Sequence, residues 1–231
     1  MRPLRTFALT LLLAAPRLSA QVSTLDEGSF RLFRDGEQVG REQFSIRKKP
    51  VADGFALVAT ATITMGGRHI APSLTTDTSG TPLSYDVEVR DGDRLEQRVQ
   101  CTVTAGRFVE RIETPSGTTN REMRLAPGTI VLDDDVVHHF FFVARAAARA
   151  TAGRALPLIV PRREARDSVR IRAGASGPVE VGNGNATVTA RHLTVADGGI
   201  LAELWVDAAG RILRLEIPSK RFVATREEAP R

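Results

Sequence analysis

Apolar and polar positions alternate with a period of two along most of the chain. Phe55, Leu57, Ala59, Ala61, Ile63 and Met65 share one parity, and Val58, Thr60, Thr62 and Thr64 the other. Leu83, Tyr85, Val87 and Val89 alternate with Ser84, Asp86, Glu88 and Arg90. Such a pattern turns one face of a β-strand to a core and the other to water. Tight-turn residues punctuate the runs: Asp91-Gly92-Asp93, Ala105-Gly106, Asp197-Gly198-Gly199 and Asp207-Ala208-Ala209-Gly210. Further strands are expected at 95–103, 107–114, 156–160, 186–195, 200–206, 211–217 and 222–225. Consecutive strands joined by tight turns make an antiparallel meander. No strand–helix–strand spacing occurs, so a parallel sheet is not expected.

One segment breaks the alternation. Asp133-Asp134-Asp135 precedes a run rich in Ala and Phe that ends in Arg145 and Arg149. Acids at the start, arginines at the end and alanine between predict a helix at about 135–150. On it Val137, Phe140, Phe141, Ala144 and Ala148 fall on one side, and His138, Phe142, Arg145 and Arg149 on another. That places Phe142 near a rim or a cavity, and Gly153 ends the segment. The Gly/Asn-rich stretch 174–185 reads as a loop within one domain, its Gly182-Asn183-Gly184-Asn185 a turn and no phosphate cradle. The expected architecture is mainly β. It is a single strongly curved antiparallel sheet, a half-barrel of roughly eight to eleven strands, with one main α-helix packed on its concave face.

The first twenty residues stand apart. Arg2 and Arg5 precede an apolar run at 7–15, and Leu18-Ser19-Ala20 offers a cleavage site, the layout of a secretory signal peptide. The run is too short to span a bilayer, and no other segment is long and apolar enough, so the mature chain 21–231 is expected to be soluble, in the periplasm or secreted. A structural cysteine pair is excluded, because Cys101 is the one cysteine. Its parity with Leu95, Val99 and Val103 points it at the core, away from reactive chemistry.

Charge narrows the partners. The full chain carries a net +5, but without residues 1–20 the balance is 29 basic against 27 acidic residues, a net +2. That is too even for a nucleic-acid partner. Arg47-Lys48-Lys49 and Arg162-Arg163 read as solvated loop ends. With one Trp and one Tyr, a base-stacking surface has little to work with. Catalytic constellations are missing too: there is no G-x-S-x-G elbow, His192 lies on a strand, and His69 follows a turn. Asp135 and His139 share a helical face, with His138 beside them, yet no third ligand stands at a recognisable spacing. No catalytic residue, metal or cofactor is expected.

Three stretches carry a resemblance. Gly28-Ser29-Phe30-Arg31-Leu32-Phe33 with Asp35-Gly36, the helical segment at 135–149, and Leu204-Trp205-Val206-Asp207 with Gly210-Arg211-Ile212-Leu213 resemble the exported DUF3108-like and DUF6134-like families. Those are similar in turn to LolA- and LppX-type half-barrels, although the lipid-attachment cysteine of many relatives is absent here. The resemblance implies a non-catalytic cell-envelope protein that binds a lipid-like or other apolar ligand. Phe141, Phe142, His138 and Trp205 are the candidate contacts. The alternative is a structural or adaptor module for envelope protein assembly with a protein partner and no small ligand. N-terminal sequencing of protein recovered from the periplasm or medium should read from Gln21, within about two residues. Retention of residues 1–20 in an export-competent host contradicts the leader.

Overall fold

The period-two pattern becomes fifteen strands hydrogen-bonded into one sheet, and one helix, among the described residues. The computed structural model describes residues 21–149, 155–182, 184–196 and 202–231. The leader at 1–20, Gly153 and the Asp197-Gly198-Gly199 turn lie outside them. The strands of the first half are β1 (Ser23–Arg34), β2 (Glu37–Val51), β3 (Gly54–Met65), β4 (Arg68–Asp77), β5 (Pro82–Asp91), β6 (Arg94–Thr104), β7 (Arg107–Thr114) and β8 (Gly117–Arg124). After β9 (Ile130–Val131) comes the helix α1 (Phe140–Arg149). The second half holds β10 (Leu156–Val160), β11 (Ala165–Val181), β12 (Ala186–Ala196), β13 (Ala202–Val206), β14 (Ile212–Ile217) and β15 (Phe222–Arg226).

The sheet order is two meanders placed side by side. It runs from β8 down to β1, crosses to β15, and runs back to β9. Arg226, Ala224 and Phe222 of β15 pair with Phe30, Leu32 and Arg34 of β1. Every neighbour is antiparallel except β9 and β10, which pair in parallel. The sheet is therefore mixed at that edge, against the expectation of a purely antiparallel one. Its two end strands, β8 and β9, do not pair with each other, so the sheet stays open. The strand count exceeds the expected eight to eleven partly because β8 is polar on both faces and β9 is two residues long. Neither leaves a period-two trace.

Inward parities from both halves meet in one core. Phe30, Leu32, Ile46, Ile63, Leu74, Val99, Leu204 and Ala224 are buried together with Phe140, Phe141, Phe142, Val143 and Ala144 of α1. The helix thus fills the concave face. It is shorter than expected: Asp135 has φ +59°, outside helical geometry, and the helix begins at Phe140. The expected loop at 174–185 is also corrected. Up to Val181 it belongs to β11, whose Ser176–Val181 stretch pairs with Ala186–Arg191 of β12 after a bulge beyond Ala173. The regular alternation of β12 holds this stretch extended despite its glycines.

Phe142 is not at a rim. It is 2% exposed, as is Phe141, and the two rings meet edge-on at 5.6 Å. Starting the helix later changes nothing in the spacing; what changes is that the sheet wraps both sides of α1, and the Phe142 ring lies against Gly80 in the β4–β5 turn. Phe141→Ala and Phe142→Ala should therefore each cost about 3–5 kcal/mol. Urea unfolding checks this; a Phe142 variant much milder than the Phe141 variant contradicts equal burial.

Candidate functional site

The chain enters the half-barrel between β9 and α1, and buried polar groups hold it there. Glu42 lies on β2 in the parity of Phe44 and Ile46, paired across the sheet with Phe30 and Ile63. It has no exposed surface. Its carboxylate accepts the Val137 amide at 2.7 Å and the His138 amide at 2.8 Å, and His138 Nδ1 lies 2.8 Å from Oε1. These amides open the turn that leads into α1 and have no helical acceptor of their own. A strand carboxylate therefore does the capping that the sequence assigns to Asp133–Asp135.

The three aspartates serve elsewhere. Asp133 accepts from the Tyr85 hydroxyl and from Arg162 Nε at 2.8 Å. Burial pushes its carboxyl up, and Arg162 pulls it back. Burial, followed by the charge of Asp133, drives the Tyr85 phenol well above its usual range. Arg162 is 7% exposed at its side chain, which corrects its reading as a solvated loop end. Its Nη2 has no acceptor among the described residues. The Asp133 amide donates to His139 Nδ1 at 3.3 Å, which puts the His139 proton on Nε2. Burial, then His138 and Arg162, press the His139 ring well below its usual pKa, so it is neutral. Asp134 is burdened by burial but falls to about 2 because Arg163 and Lys220 bind it. Asp135 lies 3.6 Å from Arg34.

These groups surround an opening at one end of the half-barrel. A cavity of about 480 Å³ is lined by Arg34, Arg68, Asp134, Asp135, Arg162 and Lys220. Beside it, sharing Asp134, Asp135 and Lys220, an apolar crevice of about 40 Å³ runs between Val136, Val137 and Phe140 on one side and Leu215, Ile217 and Phe222 on the other. Two other cavities lie apart from this opening. One of about 810 Å³ follows polar residues of β1, β2 and β3 and the C-terminal residues. Another of about 470 Å³ lies at the C-terminal end of α1.

The sequence candidates divide. Phe141, Phe142 and His138 come together, but in the filled core and not along a cavity. His138 is fully buried, stacked on Phe44 at 5.9 Å. Trp205 belongs elsewhere. It stacks on His192 at 4.9 Å beside a separate small cluster of Val179, Val181, Ala190 and Leu213, because its parity on β13 is opposite to that of Leu204 and Val206. His69 is exposed as expected, but on β4. Among the described residues no three His, Cys, Asp or Glu side chains form a group able to hold a metal, and no helix is long and apolar enough to cross a membrane.

Four residues were missed: Glu42, Asp26, Arg226 and Glu110. All are charged groups on core-facing parity, and that was the available signal. Asp26 and Arg226 form a two-pronged pair at 2.6 and 3.1 Å, with the guanidinium over the rings of Phe30 and Phe44. Gly28 makes room for it, since a Cβ there would stand 3.0 Å from Arg226 Nη2. Glu110 is buried on β7, and neither of its carboxylate oxygens has a hydrogen-bond partner among the described residues.

Comparison with known proteins places the fold alone. No family profile and no curated protein matches the chain. A solved β-barrel-like protein of the domain of unknown function DUF1849 from Brucella abortus superposes with a TM-score of 0.53 at 10% identity, covering 90% of this chain and 96% of that one. A DUF1089 family protein from Pseudomonas aeruginosa gives a TM-score of 0.38 at 13% identity, over 94% of this chain and 97% of that one. The first of these, at a TM-score of 0.53, shows a β-barrel-like fold, here with one internal helix among the described residues.

Burial raises the Glu110 carboxyl from 4.5 to about 7. The folded protein keeps a proton there that the unfolded chain releases above its own lower pKa. Stability from this group is thus present at acid pH and lost as pH climbs through about 7, by up to about 3 kcal/mol. Glu110→Gln should raise the melting temperature clearly near pH 8 and little near pH 5. Equal effects at both pH values contradict the buried, proton-holding carboxyl.

Proposed function

We propose that this is an exported, non-catalytic cell-envelope protein that binds a lipid-like ligand at the mouth of its half-barrel. One observation carries the reading: an apolar crevice opens directly into a mouth rich in arginine. That pairing suits an amphiphile, with the chain against Val136, Val137 and Phe222 and the polar head among Arg34, Arg68 and Lys220. At about 40 Å³ the crevice is an entrance, smaller than an acyl chain. A bound chain must push the 132–139 segment aside, and that segment is fastened by polar contacts that can re-form. Export rests on the leader at 1–20. The absence of a catalytic constellation in the sequence supports a binding role.

An adaptor role has its own observation. The outer edge of β8 ends the sheet, and the strand is exposed along nearly its whole length. Such an edge can take a strand from a partner protein.

The two readings part in one experiment. Protein purified from its host is examined by native mass spectrometry, then titrated with a fluorescent fatty acid. Co-purifying lipid and saturable binding are expected, and Arg34→Glu with Arg68→Glu, half-exposed at the polar mouth, should weaken binding of the carboxylate probe at least about tenfold. A wild type that carries no lipid and binds no probe overturns the ligand reading, and a stoichiometric protein partner then favours the adaptor.

A further inference from the structure

The free edge strand β8 meets the turn between β10 and β11 at an ion pair. Arg121 of β8 donates to the carboxylate and, at 3.3 Å, to the carbonyl of Glu164, which follows the 3-10 turn Pro161–Arg163 ahead of β11. Glu164 has φ +57° as it closes that turn. The same turn carries Arg162 and Arg163, whose bonds to Asp133 and Asp134 line the mouth. Arg121 and Glu164 thus tie β8 to the wall of the mouth.

Arg121 has a second carboxylate within reach. It pairs directly with Glu110 across β7 and β8, on the same face, where Cβ atoms stand about 4.5–5.5 Å apart. Arg121 is also the strongest favourable charge acting on Glu110. The other groups facing Glu110 are Glu164 and Asp133, both disfavouring its charge, and Cys101, its cross-strand neighbour on β6. The Cys101 thiol stays protonated, pushed up by burial and then by Glu110. Arg121 is therefore the one cation among these groups.

We propose that Arg121 is shared between two carboxylates, and that ionisation of Glu110 draws its guanidinium inward from Glu164, untying β8 from the turn at Pro161–Arg163. The energetics favour the exchange. The Arg121–Glu164 pair is about two-fifths exposed on both sides, and exposed pairs contribute little. A buried carboxylate left charged and unpartnered is far more costly, and Arg121 can relieve it. With Glu110 protonated nothing pulls Arg121 inward, and the tie holds. With Glu110 ionised the turn bearing Arg162 and Arg163 loses its outer tether. The switch is independent of the ligand-binding reading; its consequence, a mouth that loosens for a ligand as pH rises, rests on that reading.

Spin labels on Thr118→Cys and Arg166→Cys, outward positions on β8 and β11, report the separation of these strands by pulsed dipolar spectroscopy with no ligand present. Buried Cys101 does not take the label. The wild-type background should show a longer, broader distance above a midpoint near pH 7. Glu110→Gln, close in shape and unable to ionise, should keep the short distance from pH 6 to pH 8, and Arg121→Ala, which removes the tie itself, should show the long one throughout. A wild-type distance that does not move, or a Glu110→Gln protein that moves like the wild type, overturns the switch. Failure to bind a fatty acid in the separate titration overturns the ligand reading and leaves the switch standing.

Discussion

A single carboxylate, that of Glu42, decides where the inside of this protein begins. A chain segment that crosses a concave apolar sheet brings backbone amides into a medium with no water to receive them. Glu42 rises from the sheet at that point and takes the amides of Val137 and His138. The side chains of Val136, Val137 and Phe140 can then turn to the apolar walls. Without it, the segment before the helix would leave unpaired donors in the core, and the helix would have no fixed starting point. Its counterpart on the far side of Phe44 is the Asp26–Arg226 pair, which anchors the junction of the two meanders.

This arrangement explains what sequence reasoning could and could not see. Strands announce themselves where one parity is apolar, as in Phe55, Leu57, Ala59 and Ile63, or in Tyr85, Val87 and Val89. The helix was legible from its alanines and phenylalanines. Its start was not, because the capping group lies about a hundred residues upstream on β2, and local rules credit the nearest acids. Phe142 was misplaced for a related reason. Assigning it to a polar face assumes one side of the helix meets water, yet the sheet closes around both. The site was less legible than the fold. Trp205 looked like a ligand contact through its chemistry, while its parity on β13 sets it outside the main core.

The missed residues share a signature that the alternation itself contains. Glu42, Glu110 and Arg226 each have an apolar neighbour two residues away, and Asp26 shares the parity of Phe30 and Leu32. A charge on core parity is expensive unless something pairs with it. Three of the four are paired, and the fourth, Glu110, lies next to the edge strand β8. Arg162 follows the same logic from a turn, buried on Asp133.

The pairing of β1 with β15 has a consequence in time. Phe30 meets Arg226, so the middle of the sheet is built by the earliest and latest strands of the described chain. Contacts of such separation are slow to form and bring no stability until the chain between them is complete. The first meander, emerging alone, would lack the arginine that covers Phe30 and Phe44 and the helix that fills its concavity. A chain of this design can close the middle of its sheet only once its last strand is made, so the two halves gain their shared core together.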